Sequence, residues 1–145
     1  MAERRTLDFA HLNELNPEVE RLLQGYAAVG NWSLGQICNH LARAIHYSAE
    51  SPPATETPTR EQEVVLKMFF RGRFPDGRPA PPGMEPREGL DDAREAEKLR
   101  NAIARFADAA GPGPLHPRLG PLTIEEWARF HCMHAAHHLG FLVPA

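Results

Sequence analysis

Three copies of one short pattern constrain this chain more than anything else in it. Ser33-Leu34-Gly35-Gln36, Thr59-Arg60-Glu61-Gln62 and Thr123-Ile124-Glu125-Glu126 each place a hydroxyl residue three positions before a Glu or Gln. In such a capping box the hydroxyl accepts from the backbone N–H at the third helical position, and the Glu or Gln side chain accepts from the N–H of the cap itself. Each box therefore opens a helix: Ser33 one running to about Glu50, Thr59 a short one to about Gly72, and Thr123 one through the histidine-rich C-terminal stretch. Asn16-Pro17 offers an N-cap followed by proline at the first helical position. That helix is expected to continue an earlier turn around Leu12 and Leu15, and to run to about Ala28 before Gly30-Asn31 breaks it. Asp91 or Asp92 caps a fourth long helix through Leu99, Ile103 and Phe106 to about Ala109. No segment reads as a strand and there is no internal repeat, so the class is all-α.

The connections are long. Residues 73–89 carry Pro75, Pro79, Pro81, Pro82 and Pro86 with Gly77 and Gly83, and proline both removes a donor and clashes with the preceding turn. A second such loop is expected from Gly111 to Pro121. At 145 residues the chain suits one domain, 1–145, with a core of its own. A net charge of −3 argues against nucleic acid or an anionic membrane as the main partner, and no apolar run is long enough to span a bilayer. Met1-Ala2-Glu3-Arg4-Arg5 is not followed by an apolar stretch, so no secretory signal is visible. Cys38 and Cys132 form no CxxC pair, and a reducing cytoplasm is the default compartment.

Four of the eight histidines fall between His131 and His138. His134 and His138, four apart on a helix, project from one face about a turn from each other, and two imidazoles so placed can grip one metal ion. Zinc, nickel, copper and iron all suit imidazole. Two ligands bind weakly, so a third has to come from elsewhere. His40, in the middle of the second helix, borders that helix's apolar stripe. On the last helix Trp127, Phe130, His131, His134, His138 and Phe141 share a face. Burying neutral histidines without partners is costly, and a metal ion or a hydrogen-bond network would remove the cost. Helices packed in a bundle bring such side chains together in the core.

These residues carry a resemblance. Trp32-Ser33 followed by His40-Leu41-Ala42, with His134-x-x-His137-His138 near the C-terminus, resembles the DinB/YfiT-like superfamily. Leu115-His116-Pro117-x-x-Gly120-Pro121-Leu122-Thr123-x-Glu125-Glu126-Trp127 is similar to one branch of it, a domain of unknown function. The match covers nearly the whole chain. It implies an up-and-down four-helix bundle, here with one short extra helix and long Pro/Gly-rich loops. It also implies a central divalent metal, zinc or nickel being expected, held by His40, His134 and His138. Many members follow the second ligand of the last helix with glutamine, where this chain reads His138-Leu139-Gly140-Phe141. The superfamily includes thiol S-transferases that use a low-molecular-weight thiol, and members thought to act as hydrolases. A metal-dependent enzyme activating a thiol or water is thus the first functional expectation, and a non-enzymatic metal-binding or stress-linked protein the second. A third is a bundle that has lost its metal.

Beside the three candidate ligands, His131, His137, Gln36 and Tyr47 are candidates for a surrounding shell, and His131, one turn before His134, is also an alternative ligand. Glu125, Glu126 and His137 are the candidate general bases, none of them compelling. Cys38 and Cys132 lie two residues before proposed ligands, about 200° away on a helix, so they are expected to point away and pack. Trp32 and Trp127 are expected as core anchors, and His11, His46 and His116 as surface or loop residues. The expected partner is a small-molecule substrate, with a low-molecular-weight thiol implied by the resemblance. A homodimer is compatible with the sequence.

Overall fold

A computed structural model describes residues 3–72, 74 and 85–145. Of the proline-rich connection, residues 73 and 75–84 lie outside the described residues. In chain order the elements are a 3-10 turn at Leu12–Glu14, α1 (Leu15–Leu23), β1 (Tyr26–Ala28), α2 (Leu34–Glu50), α3 (Arg60–Arg71), α4 (Asp92–Phe106), β2 (Pro112–His116), β3 (Gly120–Thr123), α5 (Ile124–Leu139) and β4 (Leu142–Pro144). The core is all-α, a four-helix bundle of α1, α2, α4 and α5 with α3 as the extra helix, and two small antiparallel ribbons trim it.

All three capping boxes form. Ser33, Thr59 and Thr123 accept from the N–H groups of Gln36, Gln62 and Glu126, and those side chains accept from the cap N–H groups in return. Asp91 caps α4 through the Arg94 N–H at 2.8 Å. The first helix differs from expectation at both ends. It starts at Leu15, so Pro17 falls within the first turn, where its missing N–H would have had no helical partner anyway. It stops at Leu23 because Gly25 turns the backbone to φ +140°, a conformation that favours glycine. The chain beyond it then pairs as β1 with β4, in the register Tyr26–Pro144, Ala27–Val143 and Ala28–Leu142.

The expected loop from Gly111 to Pro121 is instead the β2–β3 hairpin, with an irregular register between Pro112 and Leu115. Prolines 112, 114 and 121 contribute no donors, which keeps such a ribbon short and lets its carbonyls bond elsewhere. Gly113 O accepts from Ala54 N at 2.9 Å, Pro114 O from Trp127 Nε1 at 2.9 Å, and Leu115 O from the Tyr47 hydroxyl at 2.7 Å. These bonds tie the hairpin across α2 and α5, the two helices that carry the histidines.

Leu15, Leu22, Leu34, Ile37, Leu41, Ile45, Leu99 and Leu139 fill the core. The α2–α4 seam also carries a polar chain. The Tyr26 hydroxyl donates to Asp92 Oδ2 at 2.9 Å and accepts from Leu34 N, while Asp92 Oδ1 accepts from Gly35 N at 2.7 Å. One turn on, Asn39 Nδ2 donates to the buried Glu95 at 2.9 Å, and Lys98 lies 3.2 Å from the same carboxylate. These bonds fix the start of α2, and hence where His40 falls. Among the described residues no helix is long and apolar enough to cross a membrane.

Candidate metal centre

The site is built where α2 and α5 face each other. Residue 40 lies two turns into α2, on the side turned from the α4 seam, and α5 supplies its i, i+4 pair. His40 and His134 are 5% and 6% exposed, and His138 is half-buried. The ring centroids of His40, His134 and His138 are 4.8 Å apart in all three pairs, with interplanar angles of 72–75°. One ligating nitrogen from each can be chosen so that all three lie within 4.8 Å of one another.

The donors fit a metal ion. His40 Nε2 and His134 Nε2 are 3.0 Å apart. Two nitrogens about 2.0–2.1 Å from one ion stand ~2.9 Å apart at a right angle and ~3.3 Å at the tetrahedral angle. Burial holds His134 neutral well below the usual histidine range, the neighbouring imidazoles adding to the effect, and it pushes His138 down to about 3. A neutral ring keeps a lone pair free for coordination. His134 Nδ1 is buried with no hydrogen-bond partner among the described residues. These three histidines thus form a site capable of holding a divalent ion.

Aromatic rings hold the imidazoles in place. Trp32 stacks on His138 at 5.2 Å and 15° and meets His40 edge-on at 5.2 Å. Phe74 stacks on His134 at 5.1 Å. Sequence reasoning placed Trp32 as a core anchor. The structure leaves it half-buried as a wall of the site, and the signal was its position just before the Ser33 cap. Nothing in the sequence marked Phe74.

The surrounding candidates separate. His131 is 2% exposed and turns to Ser48, its Nε2 lying 2.7 Å from the Ser48 hydroxyl, with Trp127 and Phe106 around it. His137 contacts the His138 ring at 4.8 Å, and its Nδ1 accepts from Arg4 Nη2 at 2.7 Å. Gln36 is held by its capping bond to Ser33 N, and Tyr47 by its bond to Leu115 O, with both lining the adjoining cavity. Glu125 and Glu126 sit in the exposed or half-buried first turn of α5, and Glu126 is the capping acceptor for Thr123 N. Cys38 is fully buried, and burial, with smaller pushes from Asp92 and Glu95 on α4, raises its thiol to about 12; Cys132 is buried as well. His116 overturns the expectation of a surface residue: it is 9% exposed, because the hairpin folds it against Trp127 and Phe130.

His40, His134 and His138 lie on the wall of a cavity of about 1120 Å³. Trp32, Phe69, Phe74, Trp127, Phe130 and Phe141 give it an aromatic interior, and the side chains of Arg43, Arg118, Glu85 and Glu88 also line it. That is ample for a small organic ligand.

The chain belongs to the family described as protein of unknown function (DUF1569), which matches residues 1–145. The DinB/YfiT-like resemblance is borne out by that membership together with the histidine site in a helical fold. No curated protein and no solved structure matches the chain.

Proposed function

We propose that this member of the DUF1569 family is a metal-dependent enzyme, with one divalent ion held by His40, His134 and His138 in an up-and-down bundle that forms a single domain over residues 1–145. The observation that carries the reading is the placement of three mutually facing imidazoles on the wall of a large aromatic cavity. A lone structural site would be closed by a fourth protein ligand, whereas three ligands beside a cavity suit chemistry on a bound molecule. Zinc and nickel, both suited to imidazole, are the ions expected here.

When bound, the ion would supply a Lewis acid that lowers the pKa of a thiol or a water molecule. The chain's own residues supply the rest. Three neutral ligands contribute no negative charge, so an anionic nucleophile is favoured there. Trp32 and Phe74 fix the ring orientations and keep water from two sides of the triad. Phe141 lines the cavity and packs on His137 at 5.5 Å, which makes this end drier than the glutamine that the DinB/YfiT-like resemblance implies there. That environment favours transfer of a low-molecular-weight thiol onto a small electrophile over hydrolysis.

The experiment is metal analysis of protein purified without a histidine tag, followed by a panel of electrophiles, esters and amides with several cellular thiols, using metal-loaded and chelated protein. The expected result is about one ion per chain and turnover that is lost on chelation. An occupied site with no metal-dependent rate would make the protein a non-enzymatic metal binder.

A further inference from the structure

His116 closes β2 at the hairpin turn, and its ring lies against Trp127 at 5.1 Å and Phe130 at 4.6 Å. Its Nδ1 accepts two backbone hydrogen bonds, from Arg118 N and Leu119 N, both at 3.1 Å. A nitrogen that accepts from N–H groups presents a lone pair, so the neutral ring carries its proton on Nε2. Burial and the nearby Arg118 guanidinium keep the ring neutral, with its pKa lowered to about 4. The turn thus fixes both the tautomer and the direction of the one remaining donor.

Nε2 has no hydrogen-bond partner among the described residues. It is also absent from the fully enclosed, unpaired polar atoms, and the residue lines the large cavity. An N–H that is rigidly held, without a protein acceptor and still reachable from the cavity is placed to donate to a bound molecule. The N–H and its neighbours define that ligand. The Trp127 and Phe130 rings flanking His116 suit a flat apolar body, the N–H suits an acceptor oxygen, and Arg118, two residues on in the same turn, is the cation whose charge reaches the ring. We propose that His116 Nε2–H is a preset hydrogen-bond donor to the substrate, anchoring the acceptor oxygen of a carboxylate or carbonyl carried on an aromatic or similarly planar body. This inference rests on the cavity being the substrate site, but not on the identity or presence of the ion.

The role is to position substrate, in the manner of a neutral imidazole acting as donor rather than as acid or base. The hairpin acquires a purpose in this light. The Pro114 and Leu115 carbonyls tie β2 to Trp127 and Tyr47, so the donor is set on a ribbon braced from both histidine-bearing helices.

The test uses benzoate as the probe, with both metal-free and zinc-loaded protein, and ¹⁵N-imidazole NMR. The expected spectrum shows His116 protonated on Nε2 and bare on Nδ1, unchanged between about pH 8 and pH 6, two units and more above its lowered pKa of about 4. Benzoate should shift the Nε2–H resonance. His116→Ala should weaken benzoate at least about tenfold, the worth of one hydrogen bond to a charged acceptor. His116→Gln, which retains a side-chain N–H, should stay within about threefold of wild type. Should His116→Ala fail to fold, the wild-type tautomer and the benzoate-induced shift decide the matter. A proton on Nδ1, no benzoate binding, or equal affinity in His116→Ala would overturn the proposal. Failure to bind zinc with the benzoate response intact would instead remove the metal reading and leave this one standing.

Discussion

The buried imidazole of His131 makes a quantitative prediction about acid stability. The Ser48 hydroxyl donates to Ile45 O at 2.8 Å, so it accepts from His131 Nε2–H at 2.7 Å. The other nitrogen, Nδ1, is buried without a partner among the described residues. Adding a proton there places a charge among Trp127, Phe130 and Phe106, and burial, with a smaller push from His116, lowers the pKa to about 3. The unfolded chain titrates near 6.5. Between those values the unfolded state binds a proton that the native state refuses, so stability falls as pH falls. The loss begins near pH 6.5 and continues toward pH 3. Over the interval from pH 7.5 to pH 5, one such group costs about 2 kcal/mol, from ~1.36 kcal/mol per pH unit below 6.5. The assay is urea unfolding of chelated protein at those two pH values, comparing wild type with His131→Gln, which keeps a donor for Ser48. The variant should lose about 2 kcal/mol less than wild type over the interval. Comparing the two pH values within each protein cancels any pH-independent cost of the substitution. Equal losses would show that His131 is not held neutral by burial.

Three further outcomes follow from the geometry. Each of His40→Ala, His134→Ala and His138→Ala should lose stoichiometric metal while Cys38→Ala retains it, checked by elemental analysis after dialysis; full occupancy in all three histidine variants would remove the site. Metal affinity should fall as pH drops below about 6.5, because protons compete for imidazoles that bind the ion neutral, and a titration flat from about pH 7.5 to pH 5 contradicts an all-histidine donor set. Gly140→Ala should destabilise the fold by roughly 1–3 kcal/mol, since a Cβ there would sit 2.5 Å from Arg5 O. A thermal midpoint equal to wild type would show that the N-terminal segment gives way without cost.

The sequence disclosed the helices through their caps and the site through its spacing. Ser33, Thr59 and Thr123 acted locally, within four residues, so their boundaries were readable. His40, His134 and His138 were legible because helical periodicity sets direction and two packed helices leave few ways to bury three imidazoles. What stayed hidden depended on distant partners. Gly25 ends α1 because the chain must turn to pair with residues 142–144, a contact spanning almost the entire length. The strands at Pro112–His116 and Gly120–Thr123 looked like loop because their prolines masked a ribbon whose carbonyls are satisfied by Ala54, Trp127 and Tyr47. His116 read as a surface residue for the same reason: only the hairpin brings it under Trp127.

The histidines divide the interior by their hydrogen bonds. His131 and His116 are each tied to a single tautomer by a protein partner, the Ser48 hydroxyl for one and two backbone N–H groups for the other. His40, His134 and His138 turn toward one another, with 3.0 Å between two of their nitrogens, and the Trp32 and Phe74 rings stack on His138 and His134. Neutral imidazoles facing each other can share at most one proton per contact, so a triangle of three cannot satisfy every lone pair it brings together. A cation at the centre accepts all three at once. The burial that makes His134 and His138 costly to charge also keeps their lone pairs unprotonated, and so ready for the ion, at neutral pH.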